Sequence, residues 1–504
     1  MWMYLSMRKP KSLLAGMACA AIGSGVACLE VNLENRPCTN GDDCIEGYVC
    51  SEAICIPRDE LPDDSALDPD VLLAPEYCHA IYPADKKELL REEGQAILLG
   101  TLLPTTGDLG TRGPAREKAI YLAVDEINDA GGIDGKPVVM LSCDSGTSSE
   151  QAQTVLRHMV EVAKVPAVIG CASSQVTLDT FEGVAFDSKT LMISPSATST
   201  LLSERSNAED DGLLWRTAPS DAGQGYALAG LLKTQGVQKV GVISRNDSYG
   251  SSLRTVMQTN LCAGDDDFDF DCLDNDVYVV RGYTPASQDP DQTAAVTAME
   301  ELNPDAIVVI GLLDDGKALL QKIAGSTVLA EKPVLVSDAL RDVSVLEALG
   351  DSALRGKIIG TFPAPSGENY FNFNAAYQSV TGDSPTSFTA HSYDAAYVLA
   401  YAIGASNAEE PTGLSIRDGI GRLVSGDKIN VGSQGFAQTV RNLKDDAEFS
   451  VNLEGASGPL DFDLEVGEPE GDIEGWRFDV DDNDIESLGK IWDSATQTFI
   501  APSE

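Results

Sequence analysis

Residues 97–142 set one apolar run, one helical pattern and a second apolar run end to end, with short glycine- and proline-bearing turns between them. Ile97–Leu103 is apolar without alternation, as a strand covered on both faces requires. It runs into Pro104-Thr105-Thr106-Gly107. Over Gly113–Asp129, residues Ala119, Leu122, Ala123, Glu126 and Ile127 recur near helical spacing, and Gly131-Gly132 stops the helix because a left-handed C-terminal turn favours glycine. A second strand over 138–142 completes a βαβ opening. The pattern then repeats, with a helix over 150–162, a strand over Ala167–Gly170, a short helix over 177–186 and a strand over Leu191–Ser194. A second series alternates strands over 239–243, 277–281, Ala306–Ile310 and Val334–Val336 with helices over 223–234, 251–260, 292–302 and 316–323. The periodicity alone predicts a doubly wound α/β protein.

Composition adds two cores and an exported character. With 504 residues and 43% hydrophobic content the chain can build two ordinary cores, and no segment beyond the leader is long and apolar enough to span a bilayer. The leader, residues 1–27, carries Arg8, Lys9 and Lys11, then an apolar small-residue stretch, and no acidic residue before Glu30. That is the pattern of a secretory signal. Gly25-Val26-Ala27-Cys28 resembles a bacterial lipobox, with Cys28 the lipidated residue and Cys19 a second candidate; a plain cleaved signal is the alternative. The formal net charge of −44 repels phosphate backbones and anionic lipids, which argues against nucleic acid as a partner.

Eleven cysteines fit an oxidising compartment. Four of them, Cys38, Cys44, Cys50 and Cys55, lie within a segment too short for a core of its own, and Cys38–Cys50 with Cys44–Cys55 is the preferred pairing of three; zinc is the rival. Acidic, proline-bearing residues 57–83 read as a linker. Cys143 and Cys171 each end a predicted strand and form one expected pair, Cys262 and Cys272 bracket an acidic loop and form another, and Cys78 is left over.

The stretch Ile127-Asn128-Asp129-Ala130-Gly131-Gly132-Ile133-Asp134-Gly135, following Pro104 and Gly107, resembles the opening of the type I periplasmic solute-binding proteins, of which the branched-chain amino acid-binding proteins are members. Leu214-Trp215-Arg216-Thr217-Ala218-Pro219-Ser220-Asp221 resembles that family's first crossover between lobes, Gly360-Thr361-Phe362-Pro363 its return, and Gly455-Ala456-Ser457-Gly458-Pro459 its closing motif, with a third crossing expected near Glu454-Gly455. The resemblance implies an α/β fold of two doubly wound parallel-sheet lobes joined by a three-strand hinge. It divides the chain into residues 28–94 (cysteine-rich segment and linker), a first lobe of 95–220 with 362–454, and a second of 221–361 with 455–504.

Ligands in open α/β sheets sit beyond the carboxyl ends of the strands. The resemblance places Ser174 on the ligand's α-carboxylate, Ser196 and Thr198 in the following loop on its carboxylate and amine, Asp221 and Asp338 near the ammonium, and Tyr249 over the ligand from the second lobe. Ser174 also suits a helix N-cap, and Asp221 a cap for the helix that follows. Arg112 stands where branched-chain binders carry tryptophan, and Leu312 and Leu313 where they carry tyrosine. An arginine there pairs with an acidic or amide ligand or is a solvated surface residue, so leucine specificity is not carried over.

No G-x-S-x-G elbow, H-E-x-x-H or P-loop occurs, and none of the three histidines, His79, His158 and His391, shares a motif with Ser174; the expectation is no enzyme, no cofactor and no metal. Acidic runs at 265–271 and 479–484 lack the glycine and glutamate spacing of an EF-hand and read as solvated loops. The whole implies a lipid-anchored extracytoplasmic protein that captures a small polar ligand, expected to be an amino acid, for the permease and ATPases of an ABC transporter. The alternative is a ligand sensor or cell-surface interaction receptor of the same fold.

Overall fold

Two parallel sheets share one winding order, and that order decides where a ligand can sit. The computed structural model describes residues 67–502 apart from 74, 206–210, 264–271, 273, 275, 286–287, 364 and 366–367, together with short backbone stretches before residue 58. The first sheet contains β1 (Cys78–Tyr82), β2 (Ile97–Leu103), β3 (Val138–Asp144), β4 (Ala167–Gly170), β5 (Leu191–Ser194) and β6 (Leu214–Arg216), in the spatial order β6-β5-β4-β2-β3-β1. All its pairs are parallel except β1 with β3. Every residue of β2, β3, β4 and β5 is buried, which explains their unbroken apolar runs.

Helices α1 (Gly113–Asp129), α2 (Ser149–Glu161) and α3 (Ser174–Thr180) connect these strands. The helix α1 ends as its glycines predict, with Gly131 at φ +107 and Gly132 at φ +71. Its start is tighter: a Cβ on Gly113 would lie 1.8 Å from the Pro104 carbonyl oxygen, so the helix begins against the loop that leaves β2.

The second sheet contains β7 (Val240–Arg245), β8 (Tyr278–Tyr283), β9 (Ala306–Ile310), β10 (Val334–Val336) and β11 (Ile358–Pro363), ordered β8-β7-β9-β10-β11 and parallel throughout. Antiparallel strands β12 (Ile473–Asp479), β13 (Asp484–Asp493) and β14 (Thr498–Phe499) extend it beyond β11. Helices α4 (Asp221–Thr234), α5 (Ser248–Cys262), α6 (Gln288–Leu302) and α7 (Leu313–Ala324) pack on this sheet, and α8 (Thr389–Ser406), buried along nearly its whole length, returns to pack on α1. Both lobes thus wind as 2-1-3-4-5, with the reversal between β2 and β4 in the first and between β7 and β9 in the second.

The chain passes between sheets after Arg216, after Pro363 and before Ile473. The third crossing therefore lies between Pro469 and Ile473, not near Glu454-Gly455. Val451–Glu454 pairs in parallel with Asp427–Asn430, and the Arg216 N–H donates to Gly467 O, which keeps the chain on the first lobe for longer. The first sheet also begins earlier than the linker reading allows, at Cys78.

The cysteine assignment needs one correction. Cys143 bonds to Cys78, not Cys171, because the two face each other in the β1–β3 register with Cα atoms 3.9 Å apart. Strand β2 lies between β3 and β4, which sets Cys171 two strands from Cys143, about 10 Å at ordinary strand spacing and beyond disulfide reach. Cys171 is a free, buried thiol whose pKa burial pushes up to about 12. Cys262–Cys272 forms as expected. Cys55 is disulfide-bonded, while the pairing expected among Cys38, Cys44 and Cys50, the Cys28 side chain and the acidic run 265–271 lie outside the described residues.

Candidate functional site

Loops leaving the two reversal points face one another across a cleft between the lobes. From the first lobe it is lined by Leu109, Arg112 and Arg116 around the start of α1, by Ala172, Ser173 and Ser174 after β4, by Ser196 after β5, and by Ser387 and Phe388 before α8. From the second lobe come Tyr249 at the start of α5, Leu312 after β9, and Asp338 and Ala339 after β10. Arg112, Ser174, Ser196, Tyr249 and Asp338, all singled out from sequence, therefore meet in one place. Thr198 and Asp221 do not line the cleft; Asp221 is fully buried behind it, its N–H donating to Thr198 O at 2.7 Å.

The first-lobe wall is rigid because its polar groups hold one another. Asp144 Oδ1 accepts the N–H groups of Thr105 and Thr106 at 2.7 and 3.2 Å, which pins the loop leading to Arg112. Ser194 Oγ donates to Cys171 O at 2.6 Å and accepts from Ala197 N at 3.0 Å, tying the loops after β4 and β5 together. Arg216, fully buried, pairs with Glu468 and donates to the carbonyls of Ala197 and Ser199 at 3.2 and 2.8 Å.

These bonds also settle which hydroxyls remain available. Ser174 Oγ accepts from Ser199 N at 3.2 Å and keeps its proton; Ser173, not Ser174, is the N-cap of α3. Ser196 Oγ donates to Ala172 O at 2.8 Å, so its proton is already committed. Helix α4 is likewise capped by Ser220 rather than by Asp221.

On the second-lobe side two carboxylates share one amide. Gln224 Nε2 donates to Asp221 Oδ1 at 2.9 Å and to Asp338 Oδ1 at 3.1 Å, while Thr361 Oγ1, on the crossing strand β11, donates to Gln224 Oε1 at 2.9 Å. The Tyr249 hydroxyl donates to Asp338 Oδ1 at 2.6 Å and lies 2.8 Å from Ser337 Oγ. Burial first, then the charge of Asp338, holds the Asp221 pKa well above the ordinary carboxylate range; burial also raises that of Asp338, against the opposing hydrogen bonds of Tyr249 and Gln224.

Two buried arginines face this acidic side. Arg112 Nη2 pairs with Asp342 Oδ2 at 2.8 Å and donates to Arg341 O at 3.2 Å, both across the cleft in the second lobe. Arg112 is thus neither solvated nor free. Arg116, one helical turn on, donates from Nη1 to Ser196 Oγ at 3.0 Å and stands 5.5 Å from the Phe388 ring centroid. Phe388 holds that position at φ +65, a left-handed backbone that a bulky residue seldom adopts. Arg116, Gln224 and Phe388 were missed from sequence. Four-residue spacing from Arg112 puts Arg116 on the same face of α1, a signal that a charged residue on a buried stripe could have raised.

Further contacts close the lobes on each other. Arg245, buried among Asp247 and Asp315 of its own lobe, reaches Asp108 of the first lobe at 2.8 Å, and Ser248 N donates to Gln175 Oε1 at 3.0 Å. Among the described residues no cluster of ligating side chains fits a metal ion, and no helix is long and apolar enough to cross a membrane.

Two α/β lobes wound alike, hinged by three crossings and closed over a polar cleft define a bilobal small-molecule receptor. The periplasmic binding protein family model matches residues 96–427, and the chain belongs to that family, as a type I member of the branched-chain amino acid-binding group. It is similar to the chemotactic signal transduction system substrate-binding protein BasB of Halobacterium salinarum, 25% identical over 375 residues covering 73% of this chain and 84% of BasB. It is also 25% identical to the Leu/Ile/Val-binding protein BraC3 of Rhizobium johnstonii, over 68% of this chain and 90% of BraC3. Among solved structures, its fold matches the branched-chain amino acid transporter substrate-binding protein LivJ of Streptococcus pneumoniae in complex with isoleucine, with a TM-score of 0.61 at 21% identity over 78% of this chain and 98% of LivJ. It matches equally a solute-binding protein of an ABC transporter from Rhodopseudomonas palustris in complex with 3,4-dihydroxybenzoic acid, with a TM-score of 0.61 at 18% identity over 79% and 98%.

Proposed function

We propose that this protein is a non-enzymatic extracytoplasmic receptor that captures a small amino acid in the cleft between its lobes and delivers it to the permease and ATPases of an ABC transporter. One observation carries the reading: the cleft sets hydroxyl and cationic groups of the first lobe (Ser174, Arg116) against the carboxylate and phenol of the second (Asp338, Tyr249), which suits a zwitterion. Ser174 and the Ser196 loop face the ligand's carboxylate, Asp338 takes the ammonium, and Asp221 and Thr198 act from behind. Closure is then a shift in population, driven by ligand contacts that exist only when the lobes meet. The lipobox-like Gly25-Val26-Ala27-Cys28 places a lipid anchor at Cys28, which would hold the receptor at the membrane beside its permease.

The test is a calorimetric and thermal-shift screen of the common L-amino acids, with Ser174→Ala and Asp338→Ala as controls. A ligand at 100 times its Kd should stabilise the fold by about 2.7 kcal/mol. If no amino acid shifts the melting temperature, the assignment fails. The likeness to BasB favours a second reading, in which the liganded receptor signals to a chemotaxis partner instead of feeding a permease. Loss of ligand uptake on deleting the gene supports transport; loss of attraction with uptake intact supports sensing.

A further inference from the structure

Arg116 is the charge in the cleft that nothing answers. It is 4% exposed, and among the described residues its donors find only the Ser196 hydroxyl, with Nε left without a partner. Among the described residues no carboxylate lies within ion-pair distance of it. Arg112, by contrast, has Asp342. Burial first, and then the neighbouring Arg112, push the Arg116 pKa down to about 9, and the buried His391 close by is driven down to about 3 by burial and by the Arg116 charge. Asp338 attracts Arg116 only at a distance, its carboxylate being engaged by Tyr249 and Gln224.

A buried guanidinium without a counter-charge is costly, and folds that retain one normally complete it with an anion. The hydroxyl beside it offers no competing donor, since the Ser196 proton is given to Ala172 O. What remains on the first-lobe side of the cleft is a planar cation whose Nε has no partner, together with the free proton of Ser174. Donors of these two kinds suit the two oxygens of a carboxylate.

We infer that Arg116 is the anchor of the ligand's carboxylate, forming an ion pair with it, and that the ligand class is defined by this carboxylate before any feature of its side chain. The inference rests on the cleft being the ligand site proposed above, and it covers two sources of one chemistry, an α-amino acid and an aromatic acid.

The experiment titrates the full chain by isothermal calorimetry with the common L-amino acids, benzoate and 3,4-dihydroxybenzoate, then repeats the tightest binder as its primary amide. The amide keeps shape and loses the charge. It is expected to bind at least 100-fold more weakly, with Arg116→Met weakening the acid by a similar factor and the amide by less than fivefold, and Arg116→Lys restoring part of the acid's affinity. The acid–amide comparison on the unaltered protein stands even if a variant fails to fold. Amide and acid within fivefold of each other, or Arg116→Met weakening both alike, overturns the inference and leaves the amino acid reading intact. Binding of aromatic acids alone removes the amino acid reading and supports Arg116. Absence of binding by every carboxylate overturns both.

Discussion

Replacing Asp342 by Asn probes whether closure and binding are one process. Asp342 does not line the cleft, yet among the described residues its carboxylate is the sole ion-pair partner of Arg112, and the two come from opposite lobes with side chains 18% and 4% exposed. In an open receptor both groups meet water and the substitution costs nothing. In the closed receptor Arg112 keeps the Arg341 carbonyl at 3.2 Å, but Nη1 already has no partner and the cation loses its counter-charge. Breaking a fully buried pair costs ~3–5 kcal/mol, and the partial exposure of Asp342 lets water screen the loss to about 2 kcal/mol. All of that falls on the closed state, so apparent affinity should drop by roughly 30-fold through a smaller closed fraction. Calorimetry with the amino acid identified by the screen reads the affinity, and small-angle scattering reads the mean opening of the ligand-free protein. Asp383→Asn, which breaks the exposed Lys118–Asp383 pair within the first lobe, is the control expected to change neither. A Kd for Asp342→Asn within threefold of the unaltered protein, with unchanged scattering, would refute the coupling of this ion pair to closure.

Three further outcomes test the fold that holds the site. Removing the Cys78–Cys143 bond by Cys78→Ala with Cys143→Ala opens a loop with a sequence separation of 65 and should lower unfolding free energy in urea by about 4 kcal/mol on the chain-entropy estimate; under native conditions Cys171 should resist alkylation in both forms. Gly113→Ala drives a Cβ into the Pro104 carbonyl at 1.8 Å, where only backbone can yield, and should cost about 3 kcal/mol; a midpoint unchanged in urea would mean the helix start moves freely. Asp394 is buried, and despite hydrogen bonds from Ser457 and Ala456 burial raises its pKa to about 6, so the folded state holds this proton more tightly than the unfolded chain does. Its contribution to stability is present at low pH and declines as pH rises from about 4 to about 6, by ~3 kcal/mol; the stability difference between the unaltered protein and Asp394→Asn should change across that window and be flat above it.

How far such features can be read from sequence depends on whether the signal is local. Unbroken apolar strands, the glycine-terminated α1 and the loops after β2, β4 and β7 are written in contiguous residues, so the α/β winding follows from periodicity and turn chemistry, while the positions of Arg112, Ser174 and Tyr249 at the cleft follow from the family resemblance those loops carry. The edge strand Cys78–Tyr82 is short, and its partner lies some sixty residues downstream, so a linker and a strand look alike there. The Cys143 pairing fails for the same reason: strand order, not nearness in sequence, decides which strand ends can touch. The charge-rich, largely exposed β13 has no apolar alternation to announce it. Gln224 and Arg116 were hidden because polar residues on a helix are normally solvated; here tertiary packing buries Gln224 among Asp221, Asp338 and Thr361, and Arg116 at the cleft.

The placement of charge in the cleft ties recognition to motion. The first-lobe side carries one buried cation without an answer, and the second-lobe side carries two carboxylates, Asp221 and Asp338, held by a single amide and pushed by burial toward protonation. A ligand bearing only an anion relieves the first imbalance and leaves the second; one bearing only a cation does the reverse. A zwitterion relieves both, and it does so across the gap, because Arg116 moves with one lobe and Asp338 with the other. Gln224 extends the link, since it joins both carboxylates to Thr361 on β11, the strand from whose end the chain crosses to the first lobe. On the amino acid reading proposed above, the free energy that selects the ligand is gained largely in the closed form, which is the condition under which binding can shift the population toward closure.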